Sequence, residues 1–258
     1  MRRLLMNIYR ALYRAYGPRH WWPGETSFEV MVGAILTQNT SWRNVEKAIQ
    51  KLKGKGVLNP EGIHRLKNSE LARLIRSSGY YRIKAHRLKS FMDFLFEEYE
   101  GDLRRMKRES LGELREKLLG VRGIGPETAD SILLYGVKKP IFVVDAYTKR
   151  ILSRHGIIRE KASYEEIQKL FMGHLSSDEK LFNEYHALLV HLGKTLCKKT
   201  PRCDLCPLYS IEARAWRIVQ RKMGDRRVRG YGDKEIARKS GEDATNLFCL
   251  SFIVHCLW

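Results

Sequence analysis

The sequence predicts an all-α fold. Three observations carry that prediction: apolar residues recur at helical spacing in segment after segment, capping signals open several of those segments, and strand signals are few. Leu5, Ile8 and Leu12 share one face of a short N-terminal helix, and Arg10 and Arg14 break the apolar run a secretion signal needs. Phe28, Met31, Val32, Ile35 and Leu36 follow the i, i+3, i+4, i+7, i+8 pattern, with Ser27 as the expected cap. Leu111, Leu114, Leu118 and Leu119 repeat it behind a capping box from Ser110 to Glu113. A second box, Ser163 to Glu166, opens the helix of Ile167, Leu170 and Phe171, and Phe182, Tyr185, Leu189 and Leu192 form a later helix. Ile141, Phe142, Val143 and Val144 resemble a strand, but an isolated strand has no partner, so they read as a buried extended connection.

Charge narrows the function. The 258 residues hold 48 Lys plus Arg against 29 Asp plus Glu, a formal net charge of +19. A charged surface built for thermal stability raises both signs together, whereas here only the positive sign is in excess. Such a chain attracts polyanions, and nucleic acid leads because each neutralised phosphate releases counterions. The apolar C-terminal segment from Asn246 to Trp258 is too short to span a bilayer, which takes about 20 residues. A cytoplasmic protein without a membrane partner is expected, and five cysteines in such a chain do not suggest a disulfide framework. Residues 223–258 are polar, Gly-bearing and weakly periodic apart from their apolar end, and read as a tail of unassigned role.

The most informative stretch runs from Leu118 to Arg150. Gly123-Ile124-Gly125 separates an amphipathic helix from a second helix opened by Pro126, a residue favoured at the first helical position. Two glycines permit a sharp turn and close backbone approach, Ile124 plugs the turn into the core, and the helix start offers free N–H groups to a phosphate. Twenty residues after Gly125, behind the buried apolar run, Asp145 stands at the expected start of another helix. An isolated Gly-x-Gly is more often an ordinary turn, and an isolated Asp more often a simple N-cap.

Together these motifs resemble the helix-hairpin-helix, Gly/Pro-rich loop and aspartate signature of the endonuclease III superfamily of DNA glycosylases, matched at Gly123, Gly125 and Asp145. Leu36-Thr37-Gln38-Asn39-Thr40 is similar to the family's LTQNT-type helix end, and Gly79-Tyr80-Tyr81-Arg82-Ile83-Lys84-Ala85 to its GYYxxKA segment. The motifs occur in family order and span roughly residues 20–206. Trp21-Trp22-Pro23 with GIGPETAD resembles the 3-methyladenine DNA glycosylase III subgroup.

The resemblance implies an enzyme acting as a monomer on double-stranded DNA carrying damaged bases. It flips the damaged base out of the helix and cuts its bond to the sugar. It assigns catalysis to Asp145, stabilising positive charge on the sugar and activating water. It places Gln38, Asn39, Trp21, Trp22, Pro23 and Glu127 at the base pocket or the vacated gap, and Gly123, Ile124, Gly125, Thr128 and Lys84 against the DNA backbone. Bifunctional relatives carry a Schiff-base lysine where this chain has Glu127, which implies a monofunctional enzyme. An alkylated purine fits stacking on Trp, because a cationic base gains from cation–π contact. The competing readings are an endonuclease III-like glycosylase and lyase for oxidised pyrimidines, and a helix-hairpin-helix DNA-binding protein without activity.

Cys197, Cys203 and Cys206 form C-x5-C-x2-C where many relatives carry a 4Fe–4S cluster. The family's fourth cysteine falls near Ile211 or Glu212, neither of which is Cys, so the fourth ligand stays open among Cys249, Cys256, a non-Cys group or a degenerate site, and zinc is the weaker option. The implied architecture is a six-helix module over residues 27–138 carrying the hairpin, a second helical module from residues 1–26 and 139–222, and a DNA cleft with Asp145 between them.

Overall fold

The computed structural model describes residues 1–209, and all regular structure among them is helical. The expected 223–258 tail, positions 211 and 212, Cys249 and Cys256 lie outside the described residues. Helix α1 (Arg2–Tyr16) buries Leu5, Ile8 and Leu12. It packs on the late helix α12 (Glu179–Thr195), where the Tyr185 hydroxyl donates to the Leu5 carbonyl at 2.8 Å. Helix α2 (Ser27–Leu36) is buried from Phe28 to Leu36 and forms the central rod. Its cap is Thr26 rather than Ser27: Thr26 keeps an extended backbone and accepts from the Glu29 N–H, while Ser27 is already helical.

Around α2 pack α3 (Trp42–Gly54), α6 (Tyr81–Tyr99) and α9 (Pro126–Ser131), with α4 (Pro60–Arg65) and α5 (Asn68–Leu74) against α6. Helices α7 (Leu103–Arg108) and α8 (Leu111–Gly120) lead into the hairpin. At α8 half of the expected capping box forms: Ser110 accepts from the Glu113 N–H at 3.3 Å, and the Glu113 carboxylate accepts from the Ser110 hydroxyl at 2.7 Å. Helix α9 continues as one π turn over Ile132–Gly136, fully buried. Helices α10 (Ala146–Arg154) and α11 (Tyr164–Met172) follow, and at α11 both halves of the Ser163 to Glu166 box form.

The apolar run 141–144 is extended and buried without strand partners. Its backbone polar groups must therefore find other partners. Two of them do so through side chains held by Asp130, whose carboxylate has no solvent exposure. Asp130 accepts from Arg115 Nε at 2.7 Å and Nη2 at 3.2 Å, from the Tyr164 hydroxyl at 2.7 Å and from Gln168 Nε2 at 2.6 Å. Gln168 also donates to the Phe142 carbonyl at 2.7 Å, and the Val144 N–H donates to the Tyr164 hydroxyl at 3.4 Å. One carboxylate thus joins α8, α9, the extended run and α11 just before Asp145.

Removing one member of a buried ion pair leaves the other uncompensated. Asp130→Ala is expected to lower stability by about 3–5 kcal/mol in urea denaturation. A loss below about 1 kcal/mol, the usual worth of an exposed pair, would mean the network does not hold the extended run.

Candidate active site

The hairpin between α8 and α9 turns on one glycine. Gly123 has φ +86°, and a Cβ there would lie 2.4 Å from Arg87 Cγ, so both conformation and space require glycine. Gly125 is different: as the α9 N-cap its φ is −97°, and a Cβ would meet nothing within 4 Å. The expectation of two turning glycines is therefore corrected. Gly123 makes the turn, and Gly125 leaves bare, exposed backbone at a helix start. Ile124 is inserted in the core at 4% exposure, so its side chain cannot touch a DNA strand.

Two further expected backbone contacts are also corrected. Lys84 is 1% exposed, and its Nζ donates to the carbonyls of Leu36 at 2.8 Å and Ser78 at 2.6 Å. It caps the C-terminal end of α2 from inside the protein. Burial, helped by the Arg87 charge, lowers its pKa to about 8. Thr128 is buried, and its hydroxyl accepts from Gln38 Nε2 at 2.9 Å.

Gln38 does not stand free. Its amide also donates to the Gly123 carbonyl at 3.1 Å, and its Oε1 accepts from Arg87. The end of α2 and the hairpin form one latched unit. Asn39 beside it is exposed with φ +53°, a conformation asparagine tolerates.

Asp145 caps α10, its Oδ1 accepting from the Thr148 N–H at 2.7 Å. The side chain is 12% exposed, and Oδ2 lies 3.7 Å from His186 Nε2. The other ring nitrogen of His186 is hydrogen-bonded to the Tyr135 hydroxyl. Tyr135 in turn packs against Trp22 with ring centroids 5.0 Å apart, and Trp22 against Trp42 at 5.4 Å. An aromatic wall therefore runs from the Trp21-Trp22 pair to the carboxylate. Trp21 lies beneath the Lys194 ammonium, 5.5 Å from the ring centre, and Pro23 is exposed.

Tyr135 and His186 were not singled out by the sequence, because one is embedded in the apolar run SILLYG and the other sits mid-helix in α12. Burial chiefly lowers the His186 pKa and Lys194 adds to that, while Asp145 pulls the other way, so the ring is neutral near pH 7.

Glu127 lies in the first turn of α9, where a helix dipole favours a carboxylate. The opposite influence wins: the surrounding protein, then the negative charge of Asp145, raise its pKa to about 7. The residue is nonetheless exposed, so water screens part of that push.

Comparison with known proteins gives the family and the fold. Residues 32–176 match the family model of HhH-GPD superfamily base excision DNA repair proteins. A Methanocaldococcus jannaschii chain, MJ1434, provisionally named a DNA repair glycosylase, is 47% identical over 80% of this chain and 94% of its own length. The chain belongs to the HhH-GPD superfamily. Within it, endonuclease III of Thermotoga maritima is 33% identical over 69% of this chain and 79% of its own. Among solved structures, H. pylori 3-methyladenine DNA glycosylase (MagIII) bound to 1,N6-ethenoadenine superposes with a TM-score of 0.62 at 28% identity, covering 75% of this chain and 96% of the other. A non-covalent endonuclease III–DNA complex superposes with a TM-score of 0.70 at 22% identity over 84% and 99%, and shares the HhH-GPD fold.

The described residues of this HhH-GPD protein do not fit a four-cysteine cluster. Cys197 is buried and its Sγ accepts from Arg154 at 3.4 Å, whereas Cys203 is exposed and Cys206 half-buried. Among the described residues no group of three or more Cys, His, Asp or Glu is arranged to hold a metal ion. The loop is instead tied to α10: Arg150 donates to the Cys197 carbonyl at 2.9 Å and the Gly193 carbonyl at 3.0 Å, and Arg154 donates to the Lys198 carbonyl at 2.6 Å and the Lys199 carbonyl at 3.0 Å.

The raised pKa of Glu127 has a stability consequence. A carboxyl that holds its proton longer in the folded than in the unfolded chain loses stability as pH rises from about 4.5 to about 7. Glu127→Gln is therefore expected to melt at the same temperature as the parent at pH 4 and higher at pH 8. Equal melting temperatures at both pH values would contradict the raised pKa of Glu127.

Proposed function

We propose that this HhH-GPD protein excises an N-alkylated purine from double-stranded DNA by hydrolysis, without a Schiff base to the enzyme, and acts as a monomer. The observation that carries the reading is that a carboxyl, Glu127, stands near enough to Asp145 for its charge to be felt. An acid, unlike the amine of a bifunctional relative, cannot attack the sugar to form an imine.

The extruded base would stack against the Trp21-Trp22 wall, where a cationic purine gains from the aromatic face. An alkylated purine is a good leaving group, so the bond breaks with little push. Positive charge then develops on the sugar, and the Asp145 carboxylate opposes it and directs water to the anomeric carbon. One carboxylate oxygen is held by the helix N-terminus, which fixes the rotamer, and the other lies 3.7 Å from His186 Nε2. The 28% identity to MagIII supports the purine side of the reading. The bare hairpin backbone at Gly123 and Gly125 supports a grip on phosphates.

Two experiments test this. On duplexes carrying alkylated, oxidised, deaminated or mismatched bases, release is expected from the alkylated-purine duplex. Asp145→Asn should retain duplex affinity and lose excision by roughly a hundredfold or more. Normal excision by that variant would remove Asp145 from catalysis. On an abasic duplex with borohydride, no covalent complex is expected, and a trapped complex would establish an amine nucleophile.

A further inference from the structure

Asp145 has one oxygen committed and one open. Oδ1 accepts from the Thr148 N–H, and Oδ2 lies 3.7 Å from His186 Nε2, just beyond hydrogen-bond distance. His186 Nε2 is buried and has no hydrogen-bond partner. A buried, unpaired ring nitrogen aimed at a carboxylate is costly unless it finds that acceptor.

The chain behind it decides which nitrogen carries the proton. Tyr135 is fully buried, and burial first, then the charges of Asp145 and Glu127, push its pKa well above the usual phenol range. Its hydroxyl therefore stays protonated, and its hydrogen-bond partner among the described residues is His186 Nδ1. With Tyr135 donating, Nδ1 must accept, which leaves the proton of the neutral ring on Nε2, facing Asp145.

We propose that His186, oriented by Tyr135, is the positioning residue for Asp145, and that its Nε2–H donates to Oδ2 when damaged DNA is bound. The proposal rests on the reading of Asp145 as the catalytic carboxylate. Thr148 and His186 would then hold one oxygen each, leaving on each oxygen a further lone pair for the sugar and the water. A donor on Oδ2 favours the ionised carboxylate, the form needed against positive charge. The groups facing this relay are Asp145 from α10, Tyr135 from the π turn, Glu127 from α9 toward Asp145, and Lys194 from the relay's own helix.

The test uses the full chain and a duplex with one alkylated purine, under single-turnover conditions. Excision by the parent and its loss in Asp145→Asn are measured first, because their failure would sink the catalytic reading, not this one. Given that baseline, His186→Ala is expected to slow excision by about tenfold to a hundredfold, the scale of a misplaced catalytic group, with duplex affinity unchanged. The acid limb of its rate–pH profile should move to higher pH, because the carboxylate has lost a donor to its charged form. A merely structural histidine would not move that limb. His186→Gln, whose amide N–H can occupy the Nε2 position, should recover part of the rate, and Tyr135→Phe should slow excision while leaving the fold intact. If His186→Ala does not fold, the Gln and Phe variants decide: slowed excision with a shifted acid limb in Tyr135→Phe supports the relay. Parent-like rates and pH profiles in either His186→Ala or Tyr135→Phe overturn it.

Discussion

The architecture depends on one buried carboxylate. Asp130 collects four hydrogen bonds from three side chains on a carboxylate with no solvent exposure, and through them secures an extended segment that has no strand beside it among the described residues. A buried ion pair contributes little net stability compared with apolar packing of the same volume. Its worth here is geometric. The segment it secures ends at Asp145, so the orientation of that carboxylate follows from contacts made by α8, α9 and α11.

Helix α10 is held at both ends by such indirect means. At its start, the Asp130 network fixes the entry of the chain and Asp145 closes the cap. Toward its end, Arg150 and Arg154 reach four acceptors in the cysteine-bearing loop, three of them backbone carbonyls, and Arg150 also reaches the Gly193 carbonyl in α12. Guanidinium groups suit that task because several donors project from one rigid plane. The loop where relatives of the endonuclease III type are expected to carry a cluster is here bound to the helix that carries the candidate catalytic acid.

The open side of the site shows a second economy. Groups expected to touch DNA instead knit the protein to itself: Lys84 caps α2, Thr128 accepts from Gln38, and Gln38 spans to the hairpin carbonyl. What remains for a DNA strand at the hairpin is bare backbone at Gly123 and Gly125. Contacts from backbone N–H groups and a helix start carry no base information.

Much of this was legible in the chain because it is local physics. Apolar spacing fixed the helices of Leu5, Phe28, Leu114 and Phe182, the Ser163 box fixed the start of α11, and Gly123 marked the turn. The motif order around Gln38, Gly123, Gly125 and Asp145 carried the family, since each motif is short and contiguous. The Thr26 cap, one residue from the expected position, turned on a backbone angle that residue type alone does not specify. Only the tertiary structure brought Tyr135 and His186, 51 residues apart, behind Asp145, turned Lys84 inward and raised the pKa of Glu127. The reason is physical: a side chain's partners, its burial and hence its charge are set by residues remote in sequence, and no periodicity within one segment encodes them.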